Sequence, residues 1–215
     1  MDDQREPLFN VPWPVMALVG VILAAFAMQS WIGTNAVADG LGFSAVSLAQ
    51  GRLAPLVVSV FLHGGWAHVL VNAAFIIAFG APVARRCGLD LGGGAAFFGF
   101  FLVCGALGNL GYGLIHPGSD TVVVGASGAA AGLMAAASRL MTQGPGLAPF
   151  NSSPVLSMAA AWLGVNLIMA VAQAFGVSGL APGSGHALVA WEVHLTGYAA
   201  GLLLFGPMLW LIHRD

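Results

Sequence analysis

Leu53 to Ala84 reads LAPLVVSVFLHGGWAHVLVNAAFIIAFGAPVA, and the fold turns on how this stretch divides. It is apolar almost throughout. A single helix of that length would overshoot a hydrocarbon core about 30 Å thick. Gly64-Gly65 interrupts it, and glycine is a poor helix former and a natural break point. The break predicts a membrane span starting near Gly65 and ending near Ala84. Leu53–Leu62 then becomes an apolar piece of a long connection, lying at or dipping into the membrane interface.

Five further apolar runs are long enough to cross, at 13–33, 94–115, 124–141, 155–175 and 191–213. With 65–84 they predict an all-α fold, a polytopic bundle of six transmembrane helices. Composition agrees. Charged residues are 7% of the chain and hydrophobic ones 59%, where a soluble domain carries about 25% charged residues. Residues 1–12 read as a short cytoplasmic segment and 13–213 as one six-span domain without internal repeats. Met1–Glu6 is acidic apart from Arg5, so the first apolar run is expected to be a retained span rather than a secretory signal.

The chain has no Lys and a net charge of −2, which leaves no basic patch for nucleic acid. Cys87 and Cys104, the two cysteines, fall at a span end and inside the next span, a poor placement for a disulfide. No metal-ligand spacing occurs, and no cofactor is called for. With the N-terminus cytoplasmic, Arg5, Arg85, Arg86, Arg139 and Arg214 share the inner side and Arg52 alone lies outside. That asymmetry follows the positive-inside rule and requires an even number of spans.

In this orientation spans two, four and six all enter from the outer side. Polar residues inside hydrocarbon are costly, so each is a functional candidate. Span two carries His68 and Asn72 on one face, at i, i+4. Span four opens with Gly125-Ala126-Ser127-Gly128, and span six carries His194 followed by Gly197 and Gly201. All these residues fall within a few turns of the outer helix ends. Gly128-xxx-Gly132 and Gly197-xxx-Gly201 allow close helix approach, which would bring Ser127 against His194. A hydroxyl beside an imidazole is the minimum for nucleophilic acyl transfer. His68, Asn72 and the Ser127 backbone N–H could supply oxyanion donors. Glu192 lies about 200° around the helix from His194, and Asp39, Asp90 and Asp120 read as loop residues. A Ser–His dyad is the economical expectation.

Blander readings compete. Gly176-Val177-Ser178-Gly179 also matches Gly-x-Ser-Gly, but it ends a span in a Gly/Pro-rich loop. Ser127 or His194 taken singly could be packing or interhelical bonding residues. His63 and Trp66 read as interfacial anchors. His116, His186 and His213 read as solvent-facing, and Asn109 and Asn166 as helix–helix hydrogen bonders. The joint arrangement at one depth favours chemistry.

Three segments together resemble the rhomboid intramembrane serine proteases: His63-Gly-Gly-Trp-Ala-His68-Val-Leu-Val-Asn72, Gly125-Ala-Ser127-Gly128, and His194-Leu-Thr-Gly197-Tyr-Ala-Ala-Gly201. The resemblance covers the six-span core. It implies Ser127 as nucleophile, His194 as general base, and His68 and Asn72 as oxyanion-hole side chains. It implies Gly125 and Gly128 as the glycines flanking the nucleophile, and Gly197 and Gly201 as a packing face. It further implies single-span membrane proteins as substrates, cut near the outer face of what is expected to be a bacterial inner membrane, with span five as a lateral gate. Three positions depart from the family pattern. Ala54-Pro55 stands where a Trp-Arg pair is usual, Ala131 where an aromatic stacks on the catalytic His, and Ala84 where a Glu is common. Tyr198 or Trp191 is expected to fill the space at Ala131. The competing functions are a rhomboid-like pseudoprotease that binds clients without cutting, a haem protein with His68 and His194 as axial ligands, and a small transporter, for which only Glu192 offers an intramembrane acid.

Overall fold

The computed structural model describes residues 10–142, 144, 146–177 and 189–214. Arg5, Ser178 and His186 lie outside the described residues. Every regular element described is helical. The elements are α1 (Trp13–Ile32), α2 (Thr34–Leu41), α3 (Ala45–Ala49), α4 (Pro55–Val58) with a 3-10 turn at Ser59–Phe61, α5 (Trp66–Cys87), α6 (Leu91–Ile115), α7 (Ser127–Ser138), α8 (Ser153–Ala174) and α9 (Trp191–Ile212). Five of them, α1, α5, α6, α8 and α9, are long and apolar enough to cross a bilayer. The chain is an integral membrane protein built as a polytopic helical bundle. Its outward faces carry Met16, Val21, Met28, Leu163, Leu167, Ile168 and Leu203, as a hydrocarbon solvent requires.

The fourth expected span is shorter than its apolar run. The helix covers Ser127–Ser138, not 124–141. Its length is about 18 Å, well under the hydrocarbon thickness. The reason is enclosure. Every residue of α7 after Ser127 is buried, so protein rather than lipid surrounds it and no thickness need be matched. Residues before it run extended, and Val123 pairs with Phe43 in an isolated antiparallel bridge.

α7 and α9 meet backbone to backbone. A Cβ on Gly197 would run into the Gly128 carbonyl, and one on Gly201 into the Gly132 carbonyl. Gly128 itself faces Val193, and Gly132 faces Cys104 of α6. Lipid tails are as apolar as Leu, so dispersion contacts between closely approaching backbones, rather than burial from water, hold such helices together.

The connection from α1 to α5 dips into the bundle, as its apolar sequence suggests. Pro55, Ser59 and Val60 are buried. The Asn109 amide of α6 donates to Leu56 O at 2.9 Å and to Ser59 Oγ at 2.9 Å. It therefore bonds α6 to the short helix α4 and to the turn after it, within the connection. Gln29 of α1 clasps the His63 peptide from both sides, donating to its carbonyl at 2.9 Å and accepting from its N–H at 2.9 Å. Arg52, displaced from the family's Trp-Arg register, donates to Gly40 O at 3.0 Å.

Gly201→Ala pushes a methyl into a carbonyl and should cost about 1–3 kcal/mol. Gly99 of α6 has open space where a Cβ would stand. Gly99→Ala should leave stability unchanged or slightly raised, since Ala is the better helix former. Thermal unfolding of the two variants in detergent, side by side, checks the contrast.

Candidate active site

The extended segment before α7 is held at its end by the connection, because the Gly125 N–H donates to Ser59 O at 3.0 Å. Gly125 has φ +126°, a conformation that other residues rarely adopt, and a Cβ there would sit 2.8 Å from His68 Nε2. Glycine at 125 thus serves both the turn into α7 and the close approach of α5. Ser127 follows as the first residue of the helix, where backbone N–H groups have no intrahelical partner.

The α7–α9 packing sets the next distance. Ser127 Oγ lies 2.8 Å from His194 Nε2, and His194 is buried. From α5, His68 and Asn72 face the same space. The Gly64 N–H donates to His68 Nδ1 at 3.4 Å, which leaves Nε2 as the protonated nitrogen, aimed toward Gly125. Asn72 is buried, and its Nδ2 finds no hydrogen-bond partner among the described residues. A buried, unpartnered amide donor is costly, and Asn72 is one of the residues around a cavity of about 520 Å³. Gly64, His68, Asn72, Ser127, Trp162 and His194 line that cavity, with an apolar wall from Val122, Val123 and Val124. All four expected polar residues are therefore together, on three helices, at one cavity.

Several sequence readings change here. His63 is not an interfacial anchor. It is fully buried, with Phe26 on one side and the His68 ring 5.0 Å away on the other. Trp66 is half exposed and packs edge-on against Phe26. His116 is not simply solvent-facing, since its Nε2 lies 2.7 Å from Glu192 Oε1. Glu192 does point away from His194, as its helical position requires.

Asn166 bonds helix to helix as its sequence position suggests, and its partner, which the sequence did not reveal, is His194. Asn166 of α8, fully buried, places Oδ1 2.9 Å from His194 Nδ1. Its Nδ2 donates to Trp162 O at 2.8 Å. The Trp162 ring lies 5.6 Å from the imidazole, tilted by 41°. The aromatic on the histidine thus comes from α8, not from Tyr198 or Trp191. Tyr198 does pack at Ala131, as expected, in a buried cluster with Met134 and Ala135 against which Trp162 also packs. The signal available was Trp162-xxx-Asn166, an i, i+4 pair on one face of a span whose other middle residues are apolar.

Fold and site together define a helical membrane protein with a hydroxyl–imidazole pair enclosed at helix ends and amide donors facing it. The chain belongs to the rhomboid family: the Rhomboid domain model matches residues 50–211. No curated protein matches the chain.

Ala131 is buried in an occupied cluster. Ala131→Phe should therefore overpack it and cost about 1–3 kcal/mol, with no gain in whatever rate the site supports. Unfolding and turnover measured on the same preparation check this, and higher activity at undiminished stability is the contrary result.

Proposed function

We propose that the protein is an intramembrane serine protease that hydrolyses peptide bonds of single-span membrane proteins with Ser127 and His194. The observation that carries this reading is the 2.8 Å contact of Ser127 Oγ with His194 Nε2, made at a cavity that Asn72, whose amide NH2 is unpartnered, also lines. Ser127 Oγ attacks the scissile carbonyl while His194 Nε2 takes its proton. The negative oxygen of the tetrahedral intermediate accepts hydrogen bonds from Asn72 Nδ2, His68 Nε2–H and the Ser127 N–H. His194 then returns the proton to the departing amine, the C–N bond breaks, and an acyl ester remains on Ser127. Water, deprotonated by His194, cleaves that ester and regenerates the hydroxyl. Gly125 lets the turn before the nucleophile close on His68, and Gly128, Gly197 and Gly201 hold the base against the nucleophile.

Family membership supports peptide-bond hydrolysis, and the intact Ser–His pair weighs against a client-binding pseudoprotease. Axial haem ligation by His194 is disfavoured because Ser127 and Asn166 engage both ring nitrogens. The apolar cavity wall suits a segment drawn from a transmembrane helix. The arginine asymmetry supports an inner-membrane orientation with both termini cytoplasmic.

The decisive experiment is co-expression with a panel of single-span proteins. Wild type should cut at least one. Ser127→Ala and His194→Ala should cut none, and neither should react with a fluorophosphonate probe. Cleavage by Ser127→Ala would sink the mechanism. Asn72→Ala should lose about 10- to 1000-fold in rate.

Topology has a separate check. Cys87 and Cys104 are buried and should stay silent to impermeant thiol reagents. Leu91 and Leu53 are 83% and 64% exposed. A Leu91→Cys variant should label from the cytoplasmic side and Leu53→Cys from outside, and the opposite pattern reverses the orientation.

A further inference from the structure

We propose that Asn166 is a positioning residue that fixes the tautomer of His194, and that its place on α8 makes the readiness of the base depend on how α8 is seated. This rests on the reading of Ser127 and His194 as nucleophile and base.

The argument runs along one chain of hydrogen bonds. A backbone carbonyl only accepts, so the atom of the Asn166 side chain facing Trp162 O at 2.8 Å is the NH2. That orients the amide, and the atom facing His194 Nδ1 at 2.9 Å is therefore the oxygen. An amide oxygen only accepts, so Nδ1 carries the hydrogen. A neutral imidazole has one N–H, so Nε2 is the bare nitrogen, directed at Ser127 Oγ at 2.8 Å. The carbonyl of Trp162 thus sets, through Asn166, which nitrogen of His194 can take the serine proton. Without Asn166, the imidazole is free to put its hydrogen on Nε2, where it cannot act as the base. Trp162, one turn before Asn166, presents its ring to the imidazole and its Nε1–H to the His194 carbonyl at 3.5 Å. Both groups that hold the base from this side belong to one helix.

That helix is the least embedded of the long ones. α8 buries only Val155, near its inner end, and Asn166, whereas α5, α6 and α9 each bury eight or more residues. Outward displacement of its outer half would carry the Nδ1 acceptor and the indole away together. Ser127 and His194, locked by the α7–α9 glycines, would remain in contact with the tautomer released.

Asn166→Leu and Asn166→Asp separate positioning from packing. Leu fills a similar volume without an acceptor, while Asp keeps an oxygen opposite Nδ1. A positioning role predicts that Asn166→Leu lowers kcat by about 10- to 100-fold at near wild-type KM and undiminished thermal stability. Asn166→Asp should recover most of that loss. A purely structural role predicts the reverse order, since an apolar residue is the better tolerated one on a membrane helix. Equal kcat for Asn166→Leu and wild type would overturn the proposal.

Nitrogen NMR of protein labelled at histidine supplies a readout free of turnover. The His194 signals, assigned by their loss in His194→Ala, should show Nδ1 protonated and Nε2 bare in the wild type. A wild-type Nε2–H tautomer would also overturn the proposal. Should wild type cut nothing, the protease reading falls, and the tautomer alone decides this inference.

Discussion

The site depends on one constraint, the contact of α7 and α9 at backbone distance. Four glycines, Gly128 and Gly132 facing Gly197 and Gly201, bring the two helices so close that a single methyl at 197 or 201 would strike a carbonyl. Side chains at such an interface could repack and let the helices slide. Backbones cannot, and this rigidity converts helix packing into a fixed Ser127–His194 distance of 2.8 Å. It also explains why α7 is short. A helix packed on all sides is sized by its neighbours, and only its first residue, Ser127, needs to reach the cavity.

The irregular backbone is held by the same economy. Side-chain amides clasp three segments near the site. Gln29 holds the His63 peptide, Asn109 holds the turn at Leu56 and Ser59, and Gln173 both donates to and accepts from Val189. Non-helical backbone at membrane depth persists only where protein satisfies it. Against this background the unpartnered buried donor on Asn72 stands out, because comparable amides elsewhere in the fold are engaged. Its position beside Gly125 is where a developing negative oxygen would find it.

Much of this was legible in the sequence, and the failures share a cause. The break at Gly64-Gly65, the close-packing glycines, and the convergence of His68, Asn72, Ser127 and His194 follow from periodicity and from the cost of polar groups in lipid. Those signals are local or repeat along a helix. Hydropathy could not shorten the fourth span, because an enclosed helix and a lipid-facing one have the same apolar composition. His63 looked like an anchor because a histidine near a span end usually is one, and its burial is decided by Phe26 of another helix. Asn166 reads as a helix–helix hydrogen bonder and is one, but the identity of its partner, His194, depends on how α8 packs on α9, which no local pattern carries.

Ala131 shows how these levels interact. In the family pattern, an aromatic one turn after the serine holds the catalytic ring from within the same helix. This chain has Ala131 there, buried, while the stacking ring comes from Trp162 on a neighbouring helix. An aromatic on α7 would share the rigidity of the α7–α9 pair, and the base would be held wherever α8 stood. Moving the ring to α8, together with the acceptor for Nδ1, divides the site into two parts. Ser127, His194 and their glycines form a part whose geometry is set by backbone contact. Trp162 and Asn166 form a part carried by α8, which buries only Val155 and Asn166 and is tied toward α9 by side-chain hydrogen bonds from Trp162, Asn166 and Gln173. Substituting one aromatic position therefore does more than relocate a contact. On the proposed role of Asn166, it places control of the imidazole on α8, which buries the fewest residues of the long helices, rather than on α7, which is enclosed after Ser127.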